Sequence, residues 1–152
     1  YQSEDIRHAD ARDFLNELVG QLIAGEAVRG HVVVSSVDAD SLYVDPDKLA
    51  PLALWLVEAV NNAQKHAFAG RGGALKVRFR VYGETSILEV EDDGPGGSAA
   101  AEAGVGQTLM GAFAKQLRGE TEFVEAPGGG SIARMTFATP EALSPADPAD
   151  KA

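Results

Sequence analysis

Apolar residues recur along this chain in two rhythms. Phe14, Leu15, Leu18, Val19, Leu22 and Ile23 follow a helical period, which predicts a helix over 10–24 with Gly25 as its end. Leu49, Leu52, Ala53, Leu56, Val57 and Val60 form a second helical stripe. It opens at Asp45-Pro46, a capping carboxylate followed by proline at the first helical position, and is predicted to run to about Phe68. Leu109, Phe113 and Leu117 mark the core face of a third helix over about 106–118, with Gly119 as its stop. Between the helices the period falls to two. Leu75, Val77, Phe79 and Val81 alternate with Lys76, Arg78, Arg80 and Tyr82, as in a strand with one buried face. Residues 86–92 alternate likewise, and Gly83-Glu84 between the two runs predicts a hairpin. Strands are also predicted at 31–37 and 42–44, joined by a turn at Asp38–Asp40, and at 120–125 and 132–138.

Strand pairs separated by helices predict an α/β fold: a two-layer sandwich with a mixed, mostly antiparallel sheet and helices on one face. All-parallel βαβ winding is the weaker alternative. Residues 140–152 carry three prolines and no large apolar side chain after Leu143, and read as a disordered tail.

Composition narrows the field. At 152 residues, 45% hydrophobic and 24% charged, the chain is one ordinary globular domain. It has no cysteine, which removes disulfides, thiolate zinc sites and cysteine nucleophiles. A net charge of −10 disfavours nucleic acid and anionic membrane surfaces. It leaves room for a small phosphate ligand held by a cation and backbone N–H groups. No apolar run approaches the ~20 residues that span a bilayer. The 17 glycines cluster at 70–73, 94–97, 104–106 and 128–130, which points to shaped loops.

Three stretches carry candidate chemistry. Glu58, Asn62 and Lys65 fall at i, i+4 and i+7, on one helical face. A carboxylate, an amide oxygen and a cation in line can serve a hard metal and a phosphate; an ordinary solvated ridge looks the same. Asp92 shares a face with Leu88 and Val90, then enters Asp93-Gly94-Pro95-Gly96. An inward carboxylate needs a donor, such as the exocyclic amine of a base; a plain Asp-Gly turn is the bland reading. Gly104-Val105-Gly106 precedes the third helix, where free N–H groups and the dipole favour anions; glycine spacers are the alternative.

In this order, Glu58-Ala59-Val60-Asn61-Asn62-Ala63-Gln64-Lys65-His66, Asp92-Asp93-Gly94-Pro95-Gly96 and Gly104-Val105-Gly106-Gln107-Thr108-Leu109 resemble the N, G1 and G2 boxes of the GHKL ATPases. The resemblance covers about residues 10–139 and implies the Bergerat ATP-binding fold. It is nearest the catalytic ATP-binding domain of bacterial sensor histidine kinases. The Lys65-His66-Ala67-Phe68 ending, with Lys115–Gly119 and Gly128–Ser131, is similar to the HisKA_2-type subgroup. It implies ATP and Mg²⁺ as cofactors, with Asn62 on the metal and Glu58 as the catalytic base or orienter of the attacking histidine. Lys65 and His66 are implied to touch phosphate or ribose, and Asp92 to accept from the adenine amine. Gly94 and Gly96 would shape the adenine pocket, and Gly104, Val105, Gly106 and Leu109 would line the nucleotide. Ser131 matches a family threonine that reaches adenine through water.

The resemblance further implies γ-phosphoryl transfer to a histidine on a dimerisation domain in the parent chain, expected upstream of Tyr1, and a response regulator as the next partner. It implies a cytoplasmic domain, no direct membrane contact and a homodimeric parent. Residues 1–25 are then the end of the dimerisation region and its linker, 26–139 the catalytic domain and 140–152 the tail. Asp93 stands where asparagine is usual and Gln107 where leucine is usual. No F box is visible, and the lid at 97–103 is short and alanine-rich. An anti-sigma-factor serine kinase, or a degenerate ATPase-like module that only docks a response regulator, are the alternatives.

Overall fold

The computed structural model describes residues 9–28, 33–68, 73–94 and 105–141. In chain order these form β1 (Ala9–Asp10), α1 (Ala11–Val28), β2 (Val33–Ala39), β3 (Tyr43–Val44) and a 3-10 turn (Pro46–Lys48). Then come α2 (Leu49–Asn62), a π-helical turn (Ala63–Phe68), β4 (Gly73–Tyr82), β5 (Thr85–Asp92), α3 (Val105–Gln116), β6 (Glu120–Glu125) and β7 (Ser131–Ala138). The expected lid at 97–103 and the tail from residue 142 lie outside the described residues, as do residues 1–8.

Five strands make one sheet in the order β2-β4-β5-β7-β6. Only β2 and β4 run parallel; the other three pairings are antiparallel, which gives the expected mixed sheet. Segment 42–44 does not pair with β2. Instead β3 pairs with β1 in a separate two-stranded ribbon. Asp10 accounts for this. Its buried carboxylate accepts from Arg12 N at 3.1 Å, Leu42 N at 3.0 Å and Ser41 Oγ at 2.8 Å, so one side chain ties the 41–42 turn to the first turn of α1. Burial pushes this carboxyl up, but the three bonds and nearby Arg12 outweigh it and hold the pKa below its usual value.

One face of the sheet carries the core. Leu75, Val77, Phe79, Leu88, Val90, Met135 and Phe137 are buried there against the helices. Helix α1 adds Ala11, Leu15 and Val19, so the boundary expected after residue 25 does not mark an edge of this core. The helix also continues through Gly25, an exposed position where glycine costs a helix only about 1 kcal/mol. Asp45 caps the next helical run, its Oδ1 accepting from Asp47 N at 2.9 Å. On α2 the buried set includes Trp55, which the predicted stripe omits. Covered by the sheet and also by α3, this helix buries more than one stripe. The indole is fully buried and its Nε1 donates to Thr121 Oγ1 on β6 at 3.0 Å.

Two expectations about α3 are corrected. Its core face is Met110, Ala114 and Leu117, while Leu109 is 40% exposed, because the helix leans on α2 as well as on the sheet. Its left-handed terminal residue is Arg118, with φ 58°, and not Gly119. Gly119 is needed for space: a Cβ there would lie 2.5 Å from both Phe137 Cβ and Thr136 O. Arg118→Gly is therefore expected to stabilise the domain by about 1 kcal/mol, the order of the penalty for a side chain in that conformation. A urea unfolding midpoint that does not rise would refute it.

The other face of the sheet is sealed by charge. Glu89 lies between Arg78 and Arg134 in direct cross-strand register. Arg78 also pairs with Glu91 at 2.9 Å, and Arg134 with Glu122 at 3.4 Å. Partial burial raises the Glu89 pKa, but the two guanidinium groups more than reverse this. Among the described residues no helix is long and apolar enough to cross a membrane.

Candidate functional site

The alternation of β5 sends Leu88, Val90 and Asp92 to the helix side of the sheet. A carboxylate thus arrives at the end of an apolar row, 9% exposed. Asp92 Oδ1 accepts from Gly94 N at 3.0 Å and from Ser131 N at 3.2 Å. Ser131, itself buried, is its direct cross-strand partner on β7. Oδ2 has no protein donor among the described residues. Burial raises the pKa of Asp92; the two N–H bonds oppose this, while the charges of Asp93 and Glu91 add to it. The arrangement holds one oxygen in place and leaves the other able to accept from a ligand.

Two features shape the backbone around this carboxylate. Gly130 is buried so closely against β5 that a Cβ on it would stand 1.7 Å from the Asp92 carbonyl oxygen. Asp93 Oδ1 accepts from Ala74 N at 2.9 Å, fastening the start of the glycine loop to β4. The aspartate that departs from the usual asparagine therefore has a structural partner.

The second part of the site is the C-terminal end of α2, a helix that contacts β5. Glu58 and Asn62 are one turn apart and both half-buried. Glu58 has no hydrogen-bond or ionic partner among the described residues. Asn62 Nδ2 donates to Met110 Sδ of α3 at 3.5 Å, and its Oδ1 has no protein donor among the described residues. The expected line of Glu58, Asn62 and Lys65 is interrupted: α-helical winding ends at Asn62, and Lys65 lies exposed on the π-helical turn. That turn takes more residues per revolution, so a position three past Asn62 leaves the α-helical line.

Only the end of the glycine loop before α3 lies among the described residues. Val105 and Gly106 begin the helix as backbone, and Leu109 is exposed one turn later. The side chains of His66 and Val105, together with Gly96 and Gly104, lie outside the described residues. A groove of about 430 Å³ runs between α3 and β6, lined by Gly111, Lys115, Glu120, Thr121 and Phe123 among others. It holds none of Glu58, Asn62, Asp92 or Ser131, so this groove and the polar constellation are different places. Among the described residues no three His, Asp or Glu side chains converge into a metal cage. A Mg²⁺ ion held together with phosphates needs only one or two protein oxygens, and Asn62 Oδ1 is of the right chemical type. Met110 is absent from the residues the motifs single out; the stripe Met110, Ala114, Leu117 was the signal that could have found it.

Comparison with known proteins places this geometry. The family model described as histidine kinase-, DNA gyrase B-, and HSP90-like ATPase matches residues 47–141. The blue-light activated histidine kinase of Erythrobacter litoralis EL346 superposes with a TM-score of 0.71 at 23% identity, over 84% of this chain and 41% of that one. The mycobacterial sensor histidine kinase MprB gives 0.68 at 14% identity, over 90% and 98%. The catalytic domain of histidine kinase ThkA gives 0.65 at 18%, over 86% and 95%. At these identities the structures establish a common fold. No curated protein matches the chain in sequence. The matched span runs from the first turn before α2 to just past β7, taking in both halves of the polar constellation, and the chain belongs to the histidine kinase-, DNA gyrase B- and HSP90-like ATPase family.

Proposed function

We propose that this domain binds Mg·ATP and passes the γ-phosphoryl group to a histidine on a dimerisation domain of its parent protein, as the first step of two-component signalling. The observation that carries the reading is Asp92: a buried carboxylate with Oδ1 held by two backbone N–H groups and Oδ2 lacking a donor among the described residues. An exocyclic amine of adenine supplies that donor and relieves the burial penalty that now raises the pKa. Asn62 offers a neutral oxygen to the metal, and Glu58 faces the incoming histidine one turn away. Bound Mg²⁺ neutralises charge on the phosphate oxygens; the protein's part is positioning and the handling of one proton. A response regulator as the next phosphoryl acceptor, a homodimeric parent and a cytoplasmic location complete the reading.

Calorimetry with ATP and GTP tests it. A buried acceptor matched to one donor rejects the ligand that leaves it unpaired. ATP is expected to bind with Mg²⁺ at least about 100-fold more tightly than GTP, a margin such pairing commonly exceeds. Asp92→Ala is expected to erase the difference. Equal affinities in the unmodified protein would remove Asp92 from recognition, and no nucleotide binding at all would leave a docking module.

A further inference from the structure

Asn62 reaches its metal-facing role, on the reading above, only if its amide presents oxygen and not nitrogen to the ligand. A free amide has no such preference, because rotation by half a turn about the last side-chain bond exchanges the two atoms. We infer that Met110 is a positioning residue that sets this choice. The pair meets at the contact between α2 and α3: Met110 is fully buried, and its Sδ lies 3.5 Å from Asn62 Nδ2. A thioether sulfur has lone pairs and no hydrogen to donate, so it can face only the NH₂ end of the amide. The opposite orientation would set the amide oxygen against sulfur lone pairs within the buried contact. The sulfur thus turns Oδ1 away from α3, and Oδ1 has no protein donor among the described residues.

The same contact links the end of α2 to α3. Met110 sits in the second turn of α3, the helix that begins at Val105 directly after the glycine loop. A displacement of that helix moves the sulfur, and with it the group that fixes Asn62. Metal affinity is thereby tied to the seating of α3 on α2.

The test compares the unmodified domain with Met110→Leu, a swap that keeps volume and burial but removes the acceptor. ATP affinity is measured by calorimetry with Mg²⁺ and again with EDTA. The gain in affinity on adding Mg²⁺ should fall roughly three- to tenfold in Met110→Leu, the factor carried by one neutral hydrogen bond. Affinity in EDTA should stay as it was. The Asn62 side-chain NH₂ resonances should also shift toward those of a solvated amide. In an Asn62→Ala background, Met110→Leu should have no further effect on the Mg²⁺ gain. An unchanged Mg²⁺ gain in Met110→Leu would overturn the role of Met110 while leaving the nucleotide reading intact. An equal loss with and without Mg²⁺ would reduce Met110 to packing. Failure of the unmodified domain to bind ATP, or to respond to Mg²⁺, would instead overturn the reading on which this inference rests.

Discussion

Gly130→Ala is expected to destabilise the domain by about 3 kcal/mol or more, and to abolish nucleotide binding in whatever remains folded. The added methyl group would lie 1.7 Å from the Asp92 carbonyl oxygen and 2.7 Å from its carbon. Both are backbone atoms at the end of a paired strand, so no rotamer change removes the clash. Either β7 retreats, breaking the Ser131 N to Asp92 Oδ1 bond, or the Asp92–Asp93 backbone bends. The two neighbouring glycines provide the control. A Cβ at Gly128 meets nothing within 4 Å, and its substitution should fall within about 0.5 kcal/mol of no effect. Gly129 also has open space but a φ of 108°, so alanine there should cost about 1–3 kcal/mol through strain alone. Denaturant unfolding of the three single variants reads out the order, Gly130 worst and Gly128 mildest. Equal small effects at Gly128 and Gly130 would mean that β7 is free to move away from β5.

Glu58→Gln should leave ATP affinity close to that of the unmodified protein while lowering phosphoryl transfer to an added histidine-bearing domain by ~10²–10⁴-fold. The attacking imidazole must expose a neutral nitrogen toward phosphorus. A carboxylate on its other nitrogen fixes the tautomer and accepts the N–H proton as the N–P bond forms and the bond to the ADP leaving group breaks. Glutamine keeps the size and loses the charge. Glu58 is free for this task, being half-buried and without a partner among the described residues. Its neighbour Asn62 is the contrasting case: Asn62→Ala should weaken Mg·ATP binding itself. Single-turnover transfer with labelled ATP, beside calorimetry on the same variants, separates the two roles. Full transfer by Glu58→Gln would take Glu58 out of the chemistry.

Elements with a strong period were readable in advance. The alternation over 74–82 and 86–92 placed Asp92 on the buried side, and the structure keeps it there. The Asp45-Pro46 start of the second helix holds for the same reason: a cap is a local event and needs only neighbouring residues. What the pattern could not supply was tertiary. The pairing of β3 with β1 depends on Asp10 reaching Ser41 and Leu42, about thirty residues away in sequence. The choice of Met110 over Leu109 as the buried residue of α3 depends on where α2 lies. The end of α-helical winding at Asn62 has no residue signature, so the sequence pattern carries the α-helical line on to Lys65, where the chain winds as a π-helix. Gly130 belonged to an obvious glycine run, but only the register of β5 on β7 distinguishes it from Gly128.

Trp55 gives the domain a built-in optical probe. It is the single tryptophan of the chain, fully buried, with its indole N–H fixed to Thr121 across the gap between α2 and β6. Its emission comes from one environment and shifts to longer wavelength when water reaches the ring. The indole lies on the same helix as Glu58 and Asn62, yet its ring is turned into the core. A red shift therefore reports loosening of α2 from β6, and a variant that alters only the polar end of that helix should leave the spectrum unmoved.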